Sequence, residues 1–164
     1  MDNSLVLFAK DVWTFNEIAG NNLNTSLESF NAQQRCLVEE VNEITEGLNN
    51  KNVEEVVDGV IDTLYVAIGM LHKLAELGVN VDDALYLIAK NNLSKFPEKS
   101  KFVIDETLEQ YKNKGINLTY SFVRNPYDNT SLVVFKDENG KIRKPFGFES
   151  VDISSTIKGV SFDV

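Results

Sequence analysis

Apolar residues recur at helical intervals through the first two thirds of this 164-residue chain. The third and longest periodic segment is apolar on nearly every side, which is typical of a helix at the centre of a bundle. Short polar loops rich in asparagine or glycine separate the segments. The periodicity predicts helices over 4–19, 30–48, 52–77, from about residue 80 to before Pro97, and over 104–112. We therefore predict an all-α fold, a bundle of four to five helices.

The pattern changes in the last third of the chain, where apolar and polar residues alternate. Over 118–122 every second residue is apolar, as in a half-buried strand, and turn signals of Asn, Asp, Pro and Gly follow. Residues 117–144 are predicted to form a small C-terminal antiparallel β extension, with a loosely ordered tail from Pro145. We expect a helical domain over 1–115, with 116–164 packed on the same domain.

The composition of the chain argues against several classes of function. The net charge of −9 disfavours a nucleic-acid partner, because phosphate backbones are bound by clusters of Lys and Arg. No apolar run reaches the roughly 20 residues that span a bilayer, and the start of the chain lacks a secretory signal. A single cysteine, Cys36, excludes an internal disulfide framework and predicts a cytoplasmic protein. A small-molecule enzyme and an acidic interaction module both fit.

Acidic residues follow one flank of the second predicted helix. Glu40 and Glu43 lie one turn apart there, so both side chains can converge on one ion. Glu39 and Glu46 point to the opposite, solvent side. Glu40 and Glu43 could also be ordinary surface residues without a function. The acids of the third helix help to decide between these two interpretations.

On the third helix Glu55, Asp58 and Asp62 share one face at positions i, i+3 and i+7. From residue 38 to 71 the only basic residue is Lys51, in a loop, so these acids lack cationic partners. Carboxylate oxygens suit Mg²⁺ or Mn²⁺, whereas zinc would require His or Cys. Helix capping explains Glu55 equally well. Asp62 lies well inside an apolar helix, where a metal-binding role is the better explanation.

These residues resemble the all-α NTP pyrophosphohydrolase superfamily, which includes MazG, dimeric dUTPases and phosphoribosyl-ATP pyrophosphohydrolase. Its pattern is E-x-x-E, then an acid shortly before an Asp that opens an apolar run. Here Glu40 and Glu43 give the first part, and Asp58 and Asp62 the second. Where the superfamily has Glu, this chain has Gly59, and the acid stands one residue earlier.

The superfamily's N-x-S-K segment is similar to residues 92–95, so the resemblance extends over about residues 5–96. It implies a Mg²⁺-dependent hydrolase, with Mn²⁺ as an alternative, that cleaves an NTP or dNTP into a nucleoside monophosphate and pyrophosphate. Glu40 or Glu43 would orient the attacking water. It also implies a homodimer or homotetramer. The implied metal ligands are Glu40, Glu43, Asp58 and Asp62. The implied substrate-binding residues are Lys95 for the phosphates and Asn92 for the sugar or a phosphate. Trp13, Asn16 and Phe15 are candidates for a base pocket, although core packing explains the two aromatic residues better.

Two other functions stay open. A phosphoribosyl-nucleotide pyrophosphohydrolase would use the same acids, although the chain lacks a basic patch for a second phosphate group and has a β extension. A non-catalytic helical adaptor would use the apolar third helix as a dimer seam. Asp62 argues against the adaptor. An unpaired carboxylate within an apolar helix costs free energy, and a non-catalytic adaptor would gain nothing from it.

Overall fold

A computed structural model describes residues 3–162 of the protein. Within them lie five α-helices, two β-strands and one 3₁₀ turn. They are α1 (Ser4–Ala19), α2 (Leu27–Asn50), α3 (Val53–Glu76), α4 (Val81–Leu93), α5 (Lys101–Lys112), β1 (Leu118–Arg124), β2 (Ser131–Asp137) and the 3₁₀ turn (Ser154–Ile157). The predicted all-α class with a small β extension is confirmed.

The chain divides into two compact units. We call the described residues up to Val81, together with those from Ser154 onward, the helical unit, and Asp82–Ile153 the β unit. The predicted domain boundary after residue 115 stays a prediction. No helix of residues 3–162 has the length and apolar character that crossing a bilayer requires.

Polar caps determine where the helices begin. Ser26 caps α2 and Ser100 caps α5, each accepting a backbone N–H in the first turn, so both helices begin three residues earlier than predicted. The side chain of Asn52 accepts the backbone N–H of Glu55 at the start of α3, as the sequence spacing indicated.

Two glycines bring α2 and α3 together as an antiparallel pair. A Cβ atom on Gly59 would lie 2.9 Å from Ile44 Cγ1 and 3.2 Å from the carbonyl oxygen of Glu40. A Cβ atom on Gly47 would lie 2.9 Å from the backbone nitrogen of Val56. Since real Cβ atoms do not approach so closely, only glycine allows this packing.

Burial along α3 is uneven. Its second half is covered: Ile68, Gly69 and His72 are buried, and α1 contacts α3 there. In the first half Val53 is 73% exposed and Val57 56% exposed. The prediction that α3 lies at the centre of a bundle along its length is therefore wrong for the exposed positions of its first half, whereas the ring contacts with α1 lie at Tyr65 and His72.

The end of the chain is ordered within the helical unit, contrary to the predicted loose tail. The carbonyl oxygen of Thr156 accepts the backbone N–H of Asn80 at 2.9 Å, and the Phe162 ring packs edge-on against Phe30 at 5.0 Å between centroids. These contacts join single residues, so the periodicity of apolar residues along the sequence did not predict them.

In the β unit, β1 and β2 pair antiparallel, with Tyr120 opposite Phe135. Val133 and Phe135 are fully buried and pack with Ile104 of α5. The alternation seen in the sequence therefore corresponds to a sheet with one face against a helix.

We expect Gly59→Ala to destabilise the protein by about 1–3 kcal/mol, because the new methyl group meets the backbone of α2. An alanine would ordinarily stabilise a helix interior. Gly69→Ala is the matched control: its methyl group would meet only the side-chain ends of Gln33 and Asn16, so the loss should be smaller. Chemical denaturation measures both. Equal stability of the Gly59→Ala variant and the wild type would contradict the described packing.

Candidate active site

Four of the predicted carboxylates come together on α2 and α3. The Glu40 backbone contacts Gly59, which lies between Asp58 and Asp62 in sequence. Burial raises the pKa of Glu40, and the negative charges of Glu43, Asp62 and Asp58 raise it further. Glu43 acts on Glu40 from the next turn of α2, whereas Asp58 and Asp62 act on it because the antiparallel packing places the acidic face of α3 opposite that of α2.

The acids are less buried than the sequence indicated. Glu40 and Asp62 are half-buried, whereas Glu43 and Asp58 are exposed. The expectation that Asp62 is an acid within apolar surroundings is therefore only partly met, because the first half of α3 lies open in the single chain. In residues 3–162 no Lys, Arg or His forms an ion pair with any of the four.

The donor chemistry fits a hard divalent cation. All four side chains offer carboxylate oxygens, and their mutual repulsion has no cation to offset it. As the side chains stand, no three His, Cys, Asp or Glu residues between 3 and 162 are close enough to hold one ion. Holding a cation would therefore require side-chain rotation on the two helices. Glu55, whose N–H is capped by Asn52, is half-buried nearby in sequence, and its role as a ligand stays open.

Packing explains the departure at Gly59 from the superfamily pattern. A side chain there would collide with Ile44 and with the Glu40 backbone. Asp58, one residue earlier, is exposed and meets no such obstacle. Position 59 therefore has room only for glycine, whereas position 58 can hold an acidic side chain close to Glu40.

Tyr65 lies next to the acidic group, a neighbour that the sequence reasoning did not consider. It follows Asp62 by about one turn, and burial together with the charge of Asp62 raises the pKa of its hydroxyl. The rings of Phe8 and Phe15 pack edge-on against Tyr65, at 6.0 and 5.8 Å between centroids. The base pocket predicted from the sequence included Phe15 but not Tyr65. The spacing of three residues from Asp62 is the signal by which Tyr65 could have been found.

Trp13 and Asn16 make packing contacts inside the helical unit. Trp13 stacks on His72 with ring centroids 3.7 Å apart, and burial lowers the pKa of His72. Asn16 is buried and its side-chain N–H donates to the Val12 carbonyl oxygen at 2.9 Å. Both residues are thus accounted for by packing, and their predicted role in base binding stays a prediction.

The predicted phosphate-binding residues form a pair in the β unit. Lys95 Nζ donates to Asn92 Oδ1 at 2.6 Å, and Asn92 Nδ2 donates to the Ile88 carbonyl oxygen at 3.0 Å. The pair lines a groove of about 490 Å³ with Ala89, Leu93, Phe96 and Ile142. The side-chain amide of Asn92 therefore holds the ammonium group of Lys95 at the wall of a mostly apolar groove. The predicted contact of these two residues with phosphate stays a prediction.

We expect Asp62→Asn to lower the pKa of Glu40, because the substitution removes a neighbouring negative charge. The folded pKa of Glu40 is raised, so this group's contribution to the free energy of unfolding falls as pH rises from the unfolded value through the folded one. In the absence of metal, the free energy of unfolding of Asp62→Asn should therefore decrease less over this pH range than that of the wild type.

Carboxyl-carbon NMR titration in EDTA measures the Glu40 pKa. Glu46→Gln is the matched control, since Glu46 is exposed and is not among the charges acting on Glu40. The same Glu40 pKa in Asp62→Asn and wild type would show that the two carboxylates are not neighbours in solution.

Comparison with known proteins supports the motif-based resemblance. Residues 21–92 match the family model described as phosphoribosyl-ATP pyrophosphohydrolase. This segment contains all four carboxylates and Asn92. Searches of curated proteins and of solved structures returned no match. Pyrophosphohydrolases of this family generally use a divalent metal ion. Residues 21–92, less than half of the chain, therefore match a family of pyrophosphohydrolases, hydrolases that act on acid anhydrides, within the MazG-like all-α NTP pyrophosphohydrolase superfamily.

Proposed function

We propose that the protein is a Mg²⁺-dependent hydrolase that cleaves an NTP or dNTP between the α and β phosphates, releasing a nucleoside monophosphate and pyrophosphate. The observation that supports this most strongly is the group of four carboxylates on α2 and α3. Glu43, Asp58 and Asp62 raise the pKa of Glu40, and none of the four has a cationic partner among residues 3–162. A triphosphate is itself anionic, so such a surface attracts it only when a cation is bound between them.

In this proposal Glu40, Glu43, Asp58 and Asp62 hold the cation. When bound, Mg²⁺ lowers the pKa of a water molecule and neutralises negative charge on the phosphates. Glu40 or Glu43 accepts the proton from the attacking water at a carboxylate oxygen. The raised pKa of Glu40 favours it as the base, because proton acceptance is more efficient near the working pH.

Other side chains would bind the rest of the substrate. Lys95 would contribute a compact positive charge to the phosphates, and Asn92 would hold that charge in position and donate to an oxygen. On α1, Phe15 is half exposed and in contact with Tyr65 next to Asp62, so its ring offers a stacking surface for a base. Trp13 and Asn16 remain candidates for the same pocket.

A second candidate substrate is phosphoribosyl-ATP, which is named in the description of the matching family model. Its hydrolysis also releases pyrophosphate and would use the same carboxylates. The two substrates differ in the second phosphate group, for which the sequence has no evident basic patch.

We also propose that the enzyme works as a homodimer or homotetramer in the cytoplasm, where Cys36 would stay reduced. The open half of α3 exposes apolar side chains beside the acids, namely Val53, Val57, Val60 and Ile61. Covering them with another subunit would remove apolar surface from water and further bury the carboxylates.

The substrate experiment compares NTPs, dNTPs and phosphoribosyl-ATP with Mg²⁺, measuring pyrophosphate and orthophosphate separately. We expect pyrophosphate and a monophosphate, with activity abolished by EDTA. Asp62→Asn and Glu40→Gln should each lower kcat/KM by at least about 100-fold, because each removes a charge that acts on the cation or the water. Glu46→Gln, the matched charge control on α2, should retain wild-type kcat/KM.

Product identity separates the candidates. Activity on phosphoribosyl-ATP alone would select the second candidate. Orthophosphate as the product, or full activity in EDTA, would contradict the proposed reaction. Wild-type activity of Asp62→Asn would show that the acidic group is not the active site.

A further inference from the structure

The strand β1 has one paired edge and one open edge. Its partner β2 is paired on both sides: β1 lies on one, and on the other the Val133 N–H donates to the Pro97 carbonyl at 2.8 Å and the Arg143 N–H donates to the Phe135 carbonyl at 2.9 Å. No backbone group among residues 3–162 pairs with the outer edge of β1. The small sheet therefore ends at β1.

The register identifies the backbone groups that face this open edge. Tyr120 is opposite Phe135 and Phe122 is opposite Val133. Because Val133 and Phe135 direct their backbone groups to the other side of β2, these are non-hydrogen-bonded pairs. The N–H and C=O groups of Tyr120 and Phe122 consequently point away from β2, and the same alternation applies to Leu118 and Arg124.

This edge lacks the features by which proteins usually protect an edge strand. Residues 118–124 contain no proline and no bulge, and the strand is in continuous register over seven residues. Six of the seven are exposed. Tyr120 and Phe122, at 46% and 47% exposure, are aromatic residues in contact with each other at 5.7 Å between ring centroids.

The outward-facing positions of β1 are symmetric about Ser121. Tyr120 and Phe122 flank Ser121, and Leu118 and Arg124 lie at equal distances farther out. In an antiparallel pairing of two such strands about Ser121, each Tyr120 lies opposite a Phe122, and cross-strand pairs of aromatic residues stabilise antiparallel sheets.

We propose that β1 pairs with β1 of a second copy of this chain, antiparallel about a two-fold axis at Ser121. Tyr120 then forms a hydrogen-bonded pair with the partner's Phe122, and Arg124 lies opposite the partner's Leu118. The axis makes every contact twice, and the two hairpins join into one sheet with four long strands. This interface involves other residues than the open half of α3 and does not rest on the proposed reaction.

Amide hydrogen exchange resolved by residue tests the pairing. Ser121 and Val123 face β2, so their amides are protected in any folded chain. Tyr120 and Phe122 should be protected as well if the edges pair. Fast exchange at Tyr120 and Phe122 in concentrated wild-type protein, with Ser121 and Val123 protected, would overturn the proposal, and it would do so in a protein shown to be folded.

Discussion

The close packing of α2 against α3 determines where the carboxylates of the candidate site lie. Gly47 and Gly59 let the two helices approach to backbone contact, which no larger residue would permit. A rotation of α3 by one residue would turn Asp58 and Asp62 by about 100° away from Glu40. The acidic face, the chemistry it supports and the position of the open apolar half of α3 all follow from this packing.

Charge is distributed unevenly along the chain. The segments that form the helical unit contain 14 acidic and 5 basic residues, whereas the β unit contains 11 of each, so the whole net charge of −9 belongs to the helical unit. Bringing a triphosphate to such a surface requires positive charge from elsewhere. In the proposed reaction a divalent cation on the acids would supply this charge.

Periodicity predicted the helices and the hairpin because both depend on local patterns of apolar residues. Helix starts were misplaced by three residues where serine caps extended α2 and α5. The order of the chain end was missed, since it depends on single contacts such as Thr156 with Asn80. For the site, spacing identified the acids, but not the ring contacts of Phe8 and Phe15 with Tyr65, because these depend on how α1 packs. The exposure of Asp62 was misjudged because the sequence does not show that α1 leaves the first half of α3 open.

Paramagnetic broadening of backbone amide signals by Mn²⁺ tests the central claim most directly, because Mn²⁺ prefers the same oxygen ligands as Mg²⁺ and reports its own position. The account predicts that substoichiometric Mn²⁺ broadens signals around Glu40, Glu43, Asp58 and Asp62 first, and that excess Mg²⁺ reverses the effect. Weak broadening distributed over the exposed acids of the whole chain, with no preference for these four, would contradict it.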